Sequence, residues 1–271
     1  MAVLPKARVP FTESLMSNRA EGDISARNKR FYEQSEVVDD YARQSTLWPV
    51  EAFIFERYRE AIFGKCVLDI GCGGGRTTRA LRELASHYTG LDYSAQMIEA
   101  CRAKWPNETF VHGDASAMHQ FDDRKFDFVL FSFNGIDSMS HEKRLDTLRE
   151  VYRVLKPWGL FVFCTHNRDH RRIVTSIDFR DWNLMNNVRN LRSYVSVRSL
   201  QERASTYAIL SDPLAGYGYL SYYIRKKDQV RQLESVGFCD IDVLSERCEF
   251  VEPARSDRRN RWFHYLARKP S

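Results

Sequence analysis

Val67-Leu68-Asp69-Ile70-Gly71-Cys72-Gly73-Gly74-Gly75-Arg76 is the stretch that decides the fold. The run 66–70 is short and apolar, as in a strand buried in a parallel sheet. It carries one acid, Asp69, and then runs through glycines towards a helix. Glycine suits such a turn because it accepts a sharp bend and lets a ligand approach the backbone with no Cβ in the way. Nicotinamide and flavin enzymes use a similar loop. Their GxGxxG pattern would put a third glycine at position 76, where this chain has Arg76. The glycines instead fall at 71, 73 and 75, behind Asp69.

Outward from this stretch, strand and helix signals alternate. The order is a helix over 76–86, a strand over 88–91, a helix opened by Ser94 as cap and running to Lys104, and a strand over 109–112. A very apolar strand follows over 126–131, then a helix from about His141 to Leu155 and a strand over 160–165. This rhythm argues for a doubly wound, mostly parallel α/β sheet. Upstream, apolar residues recur at helical spacing from Asn28 to about Phe63, with Pro49 in a first turn and Gly64 as a stop. Downstream, 166–224 contains no clean βα unit. Its β-like stretches at 194–197, 206–210 and 217–224 read as an inserted, partly antiparallel lid. A helix over 226–235, closed by Gly237, and strands near 238–244 and 262–268 complete a seven-stranded sheet with a C-terminal antiparallel hairpin. The expected organisation is a flexible arm over 1–27, a helical cap and core over 28–165, the lid over 166–224, and a closing helix and hairpin over 225–271.

The glycine stretch, together with Asp92 in Gly90-Leu91-Asp92-Tyr93-Ser94 and Asp114 in His112-Gly113-Asp114-Ala115, resembles the class I S-adenosylmethionine-dependent methyltransferases of small-molecule type. The resemblance covers 66–165. It implies that Asp69, Gly71 and Gly73 hold the methionine end of S-adenosylmethionine, with Gly75 and Tyr93 also at the cofactor. Asp92 would accept the ribose hydroxyls, although alone it could belong to a helix-start box with Ser94, and Asp114 and Ala115 would hold the adenine. S-adenosylhomocysteine would be the product. Independently of the resemblance, acids at the carboxyl ends of consecutive strands line the edge where open α/β sheets bind ligands. The loop after the fourth strand, Ser132-Phe133-Asn134-Gly135-Ile136-Asp137, lies in that family beside the transferring methyl group. Ser132 is therefore assigned to the cofactor, and Asn134 and Asp137 to catalysis or substrate contact, although Asp137 could instead cap a helix. No proline follows Asn134, which argues against methylation of exocyclic base amines. Lys156-Pro157-Trp158-Gly159 resembles the family's Lys-Pro-Gly-Gly turn, with Trp158 in place of the first glycine.

His166 directly follows the fifth strand at this edge, and the ordinary pKa of histidine suits a general base. Local hydrogen bonding is the other reading of it. The segment containing Tyr32, Tyr41 and Arg43 resembles the tyrosine-bearing arm that covers the cofactor in small-molecule methyltransferases. By that resemblance Tyr41 and Arg43 touch cofactor, and Tyr32 lies near substrate; helix packing alone is the other reading of the tyrosines. In the lid, Arg171, Tyr207 and Tyr222 are substrate candidates, because aromatic walls with cations suit a small acceptor with a planar or anionic part. A packed lid core would use the same tyrosines.

Composition is ordinary for a globular protein, with 43% hydrophobic residues and a net charge of +5. Residues 255–271 hold six basic groups and one acid, and 166–200 holds seven arginines against three aspartates. Such runs serve as solvated edges or as nucleic-acid footprints. The six cysteines form no CxxC pair, and no metal-ligand spacing occurs, so no metal and no disulfide framework are expected. With no signal-peptide pattern and no membrane-length apolar run, the expectation is a cytoplasmic monomer or homodimer. It would methylate an oxygen, or a nitrogen, of a small molecule. An RNA or protein methyltransferase using the basic tail and lid, and a non-catalytic S-adenosylmethionine-binding protein, are the alternatives. Arg76 argues against a NAD enzyme.

Overall fold

The computed structural model describes residues 24–170, 184–211 and 219–271. The expected arm over 1–23, Arg171, and the segments 172–183 and 212–218 lie outside the described residues.

In β1 (Cys66–Ile70) alternate side chains face opposite ways, as a strand requires. Leu68 and Ile70 enter one apolar layer, and Val67 enters the other. β4 (Phe126–Phe131) divides likewise, Val129 and Phe131 to the first layer and Phe128 and Leu130 to the second. The first layer is closed by α7 (His141–Val154) and α9 (Lys226–Val236), through Leu148, Val151 and Leu233. The second is closed by α3 (Pro49–Arg57), α4 (Arg59–Ile62), α5 (Thr78–Leu84) and α6 (Ala95–Lys104). Helices on both faces of a buried sheet give the doubly wound architecture that the strand–helix rhythm predicts.

Strands β2 (His87–Asp92) and β3 (Thr109–His112) extend the sheet on one side of β1. On the other side lie β4 and β5 (Leu155–Asn167), all in parallel. β10 (Trp262–Arg268) runs antiparallel to β5 and to β9 (Cys239–Ser245), which makes the seven-stranded core and its C-terminal hairpin. Gly237, with φ of 111°, ends α9 in the left-handed conformation open to glycine. Trp158 also has a positive φ, 61°, at the turn position where the resembled motif has glycine.

Three more strands than expected belong to the sheet. β5 outruns β4, whose last paired residue, Phe131, faces Phe163. The vacated edge at His166 and Asn167 is taken by β8 (Leu220–Ile224), which pairs in turn with β7 (Tyr207–Ser211), and β7 with β6 (Glu202–Arg203). The lid is thus continuous with the core sheet. It has a small core of its own, in which Val197, Tyr207, Ile209, Leu220, Tyr222 and Ile224 meet Ile24. The β-like reading of 194–197 is corrected: those residues close a helix, α8 (Leu184–Val197). Its β-branched and aromatic residues suggest a strand locally, but Ser193 and Val197 are buried one helical turn apart.

The N-terminal helices are α1 (Ile24–Tyr32) and α2 (Ser35–Arg43). The last four residues assigned to the arm, 24–27, are therefore helical. Asn28, fully buried on α1, donates to the carbonyls of Ser138 (2.8 Å) and Leu220 (2.7 Å) and accepts from the Leu220 N–H. One amide ties the cap, the lid and the loop after β4 together.

Candidate active site

The parallel strands end together along one edge of the sheet, and a cavity of about 380 Å³ opens there. That is the size range of small-molecule sites. Its floor is the glycine loop. Gly73 has φ of 52°, and a Cβ on it would lie 3.2 Å from the Tyr41 ring. A Cβ on Gly74 would lie 2.4 Å from the Ala42 nitrogen, so α2 packs on the loop only because both residues are glycine.

Of the expected cofactor residues, Gly71, Gly73, Asp92, Tyr93, Asp114, Ala115, Ser132 and Tyr41 line this cavity, as does Tyr32. Asp92 accepts from the N–H groups of Gly73 and Ser94, both at 2.9 Å. Burial pushes its pKa up to about 6, against those bonds. Asp114 is held below the usual carboxylate range. Burial raises it, but the Ser116 N–H, the Ser116 hydroxyl and Lys143 outweigh that. Tyr41 is pushed up to about 12 by burial and remains a neutral phenol.

Three expected cofactor residues stand off the cavity wall. Asp69 faces the other layer, where one oxygen accepts from Thr77 (2.6 Å) and Tyr88 (2.9 Å). It therefore fastens the loop to α5 and β2, and burial raises its pKa to about 6. Gly75 turns towards Trp105, Thr78 and Cys101. Arg43 is exposed and pairs with Asp40. Tyr207 and Tyr222 also stand apart. With His141 of α7 they form a stack of rings between the lid and that helix, His141 lying 4.0 Å from Tyr207 and Tyr207 4.9 Å from Tyr222.

The sequence reading missed Glu51, Arg76 and their partnership. The Arg76 guanidinium is bonded to both oxygens of Glu51, and Ser132 bonds to both residues. Burial pushes Glu51 up, but Arg76, Ser132 and the Trp48 N–H bring it below its ordinary value. Glu51 sits three residues after Trp48 and bonds its N–H, a helix-start position that gave the only available signal. Ser25 and Lys29 of α1 and Lys143 of α7 also line the cavity. They are spread over distant segments and carry no motif.

The second part of the site is a buried network around Asp137, which sits in a 3-10 turn over Gly135–Ser138. Ser140 is the cap of α7, so capping is not the task of Asp137. Its carboxylate receives Arg144 Nη1 (2.8 Å), the Thr165 hydroxyl, the His166 N–H (2.8 Å) and His166 Nδ1 (2.7 Å). An acceptor on Nδ1 assigns the proton to that nitrogen and leaves Nε2 as a lone-pair site. Asn134 Nδ2 lies 3.4 Å from Nε2. Asp137, His166 and Asn134, far apart in sequence, are thus one constellation.

Two groups of the basic tail are used structurally. Lys269 donates to the carbonyls of Tyr152 and Leu155, and Arg268 to that of Trp158. Among the described residues no cluster of side chains suits a metal, no helix is long and apolar enough to cross a membrane, and all six cysteines are free.

Residues 67–159 match the family model described as a methyltransferase domain. A demethylmenaquinone methyltransferase of Clavibacter sepedonicus is 36% identical over 140 residues, covering 48% of this chain and 54% of its own. A ubiquinone biosynthesis O-methyltransferase of Maricaulis maris is 30% identical over 124 residues, covering 44% and 47%. The chain spans about half the length of the curated relatives it matches. Among solved structures, an S-adenosylmethionine-dependent methyltransferase from Clostridium acetobutylicum shares the fold with a TM-score of 0.59 at 14% identity, over 88% of this chain and 98% of that one. One from Mesorhizobium loti gives 0.56 at 20% identity, over 81% and 100%. Residues 67–159 are thus similar to a methyltransferase domain, and the fold is the one shared with solved S-adenosylmethionine-dependent methyltransferases.

Proposed function

We propose that this chain methylates an oxygen, or a nitrogen, of a small molecule with a planar or anionic part. The observation that carries the reading is the adjacency of the cavity to an Asp137–His166 pair. Phe133 and Gly135 line the cavity, and Asn134, between them, reaches the His166 ring. The names of the curated relatives, demethylmenaquinone methyltransferase and ubiquinone biosynthesis O-methyltransferase, support a small-molecule acceptor. Six free cysteines support a reducing, cytoplasmic setting.

The cavity fits the cofactor by the chemistry of its donors and acceptors. The Asp92 carboxylate suits ribose hydroxyls, Asp114 and the backbone at Ala115 suit adenine, and the bare loop at Gly71 and Gly73 suits the methionine end. When bound, S-adenosylmethionine supplies the sulfonium methyl. The residues of the chain do the rest. Tyr32 and Tyr41 wall off water over the glycine loop. Asp137 fixes the tautomer and orientation of His166, and Arg144 neutralises Asp137. His166 Nε2 can then take the acceptor's proton. Most of the rate would come from alignment, which supplies roughly 7–11 kcal/mol in well-oriented reactions. Proton removal adds about 10²–10⁴-fold where the acceptor requires it.

The test is transfer of radiolabelled methyl from S-adenosylmethionine to a panel of hydroxylated, amino and anionic small molecules. The expected result is a labelled small-molecule product, reduced about 10²-fold or more in His166→Ala. Label found only in protein or RNA would contradict the reading.

A further inference from the structure

Taking His166 as the base, the surroundings of its ring say what the acceptor looks like. His166 is paired in register with Trp262 of β10 on one side and with Tyr223 of β8 on the other. Residues directly opposite across strands project from the same face. An indole, an imidazole and a phenol therefore form a row across three strands. Their ring centroids are 6.5 Å apart for Trp262 and His166, and 5.1 Å for His166 and Tyr223. Trp48, just ahead of α3, continues the row at 6.3 Å from Trp262, and Phe133 at 5.5 Å from Trp48. Phe133 is itself part of the cavity wall. The row thus leads from the cofactor cavity to the imidazole, and each ring in it is only partly buried.

Two further features point to a ligand. Phe133 and Asn134 both have positive φ, 53° and 55°, in succession at the end of β4. Side chains rarely adopt that conformation, and it concentrates at functional sites. Here it turns one residue to the cavity and the next to His166. In addition, among the described residues the buried Asn134 Oδ1 has no hydrogen-bond partner, while its Nδ2 makes only the long 3.4 Å contact with Nε2. A buried amide oxygen left unmet calls for a donor.

We propose that Phe133, Trp48, Trp262 and Tyr223 form the seat of a planar aromatic acceptor bearing a hydroxyl, a phenol or hydroquinone. Its ring lies along the row, and its O–H donates at the His166 Nε2–Asn134 Oδ1 pair. Aromatic rings prefer such offset and edge contacts. A saturated alcohol of the same size would meet the hydrogen-bonding pair but lose the ring contacts. Phe133 is shared with the wall of the cofactor cavity, but Trp48, Trp262 and Tyr223 lie outside its lining, so that end of the seat is separable from cofactor binding.

The experiment uses the full chain saturated with S-adenosylhomocysteine and follows 6-fluoro-2-naphthol by ¹⁹F NMR, with decahydro-2-naphthol as competitor. The expected result is saturable broadening of the fluorine signal that the saturated alcohol does not reverse. Its Kd should be weakened about tenfold or more in Trp262→Leu and largely kept in Trp262→Phe. Calorimetric binding of S-adenosylhomocysteine should be unchanged in both. If Trp262→Leu does not fold, Tyr223→Leu carries the same expectation. A protein that binds S-adenosylhomocysteine but not the naphthol, or yields it equally to the saturated alcohol, overturns the seat alone. Failure to bind S-adenosylhomocysteine overturns the proposed function instead.

Discussion

The half of the molecule that forms the cavity floor and the lid half are built by different rules. From β1 to β5 the acids that line the cavity sit at or just beyond strand ends, so chain position and spatial position run in step. Asp92 and Asp114 are legible because each closes an apolar run, and the sheet brings both to one edge. The lid has no such periodicity. His166 gains its meaning from Asp137, from Asn134, and from Trp262 and Tyr223 on neighbouring strands. The difference teaches that a repeating unit displays its binding residues in sequence, whereas a site assembled from strand neighbours is visible only after pairing.

The two halves meet at Arg144, and breaking that junction should have the largest effect. Arg144 is wholly buried, bonded to Asp137, Thr165 and Gln229, and stacked on Tyr222. Arg144→Met leaves the Asp137 carboxylate buried without its cation, which typically costs about 3–5 kcal/mol. Urea unfolding should show that loss; a change within error would mean that this ion pair does not hold the buried network together. A smaller effect is expected from Asn28→Ala, which strands the N–H of Leu220 and the carbonyls of Leu220 and Ser138. The expected cost is about 1–3 kcal/mol by the same measurement. It should be accompanied by faster amide exchange at Leu220. The smallest belongs to Arg43→Ala. Its exposed partner Asp40 is three residues away on the same helix, so stability should move by no more than about 0.5 kcal/mol. Calorimetric affinity for S-adenosylhomocysteine should stay where it is, and a clear loss would return Arg43 to the cofactor site.

Much of the core was legible from local pattern. The bounds expected for β1, β3, β4 and β10 are those observed, because each is a short apolar run with clear punctuation. The start of β5 was not, since Lys156–Gly159 reads as a turn yet is incorporated in the strand with Trp158 in a left-handed conformation. α8 was hidden by the strand-forming composition of its last turn. In the site, the motif does not give the orientation of Asp69. Its place before the glycines is visible in the sequence, but strand alternation sends its side chain to Thr77 and Tyr88 instead of the cavity. Glu51 and Arg76 were invisible as a pair because 25 residues separate them.

The central claim is that the cavity at Asp92 holds S-adenosylmethionine, and its most direct test is calorimetry with S-adenosylhomocysteine as a function of pH. Burial raises the pKa of Asp92 to about 6, with Gly73 and Ser94 N–H groups, His112 and Tyr41 facing it. Ribose hydroxyls favour the charged carboxylate, so binding should release a proton below that value. Affinity should therefore rise about fivefold between pH 5 and pH 6 and level off above about 7. In Asp92→Asn the slope should vanish and the affinity at pH 7.5 should fall by about 10–100-fold. Affinity that is flat across this range in the wild type, or unchanged in Asp92→Asn, would contradict the assignment.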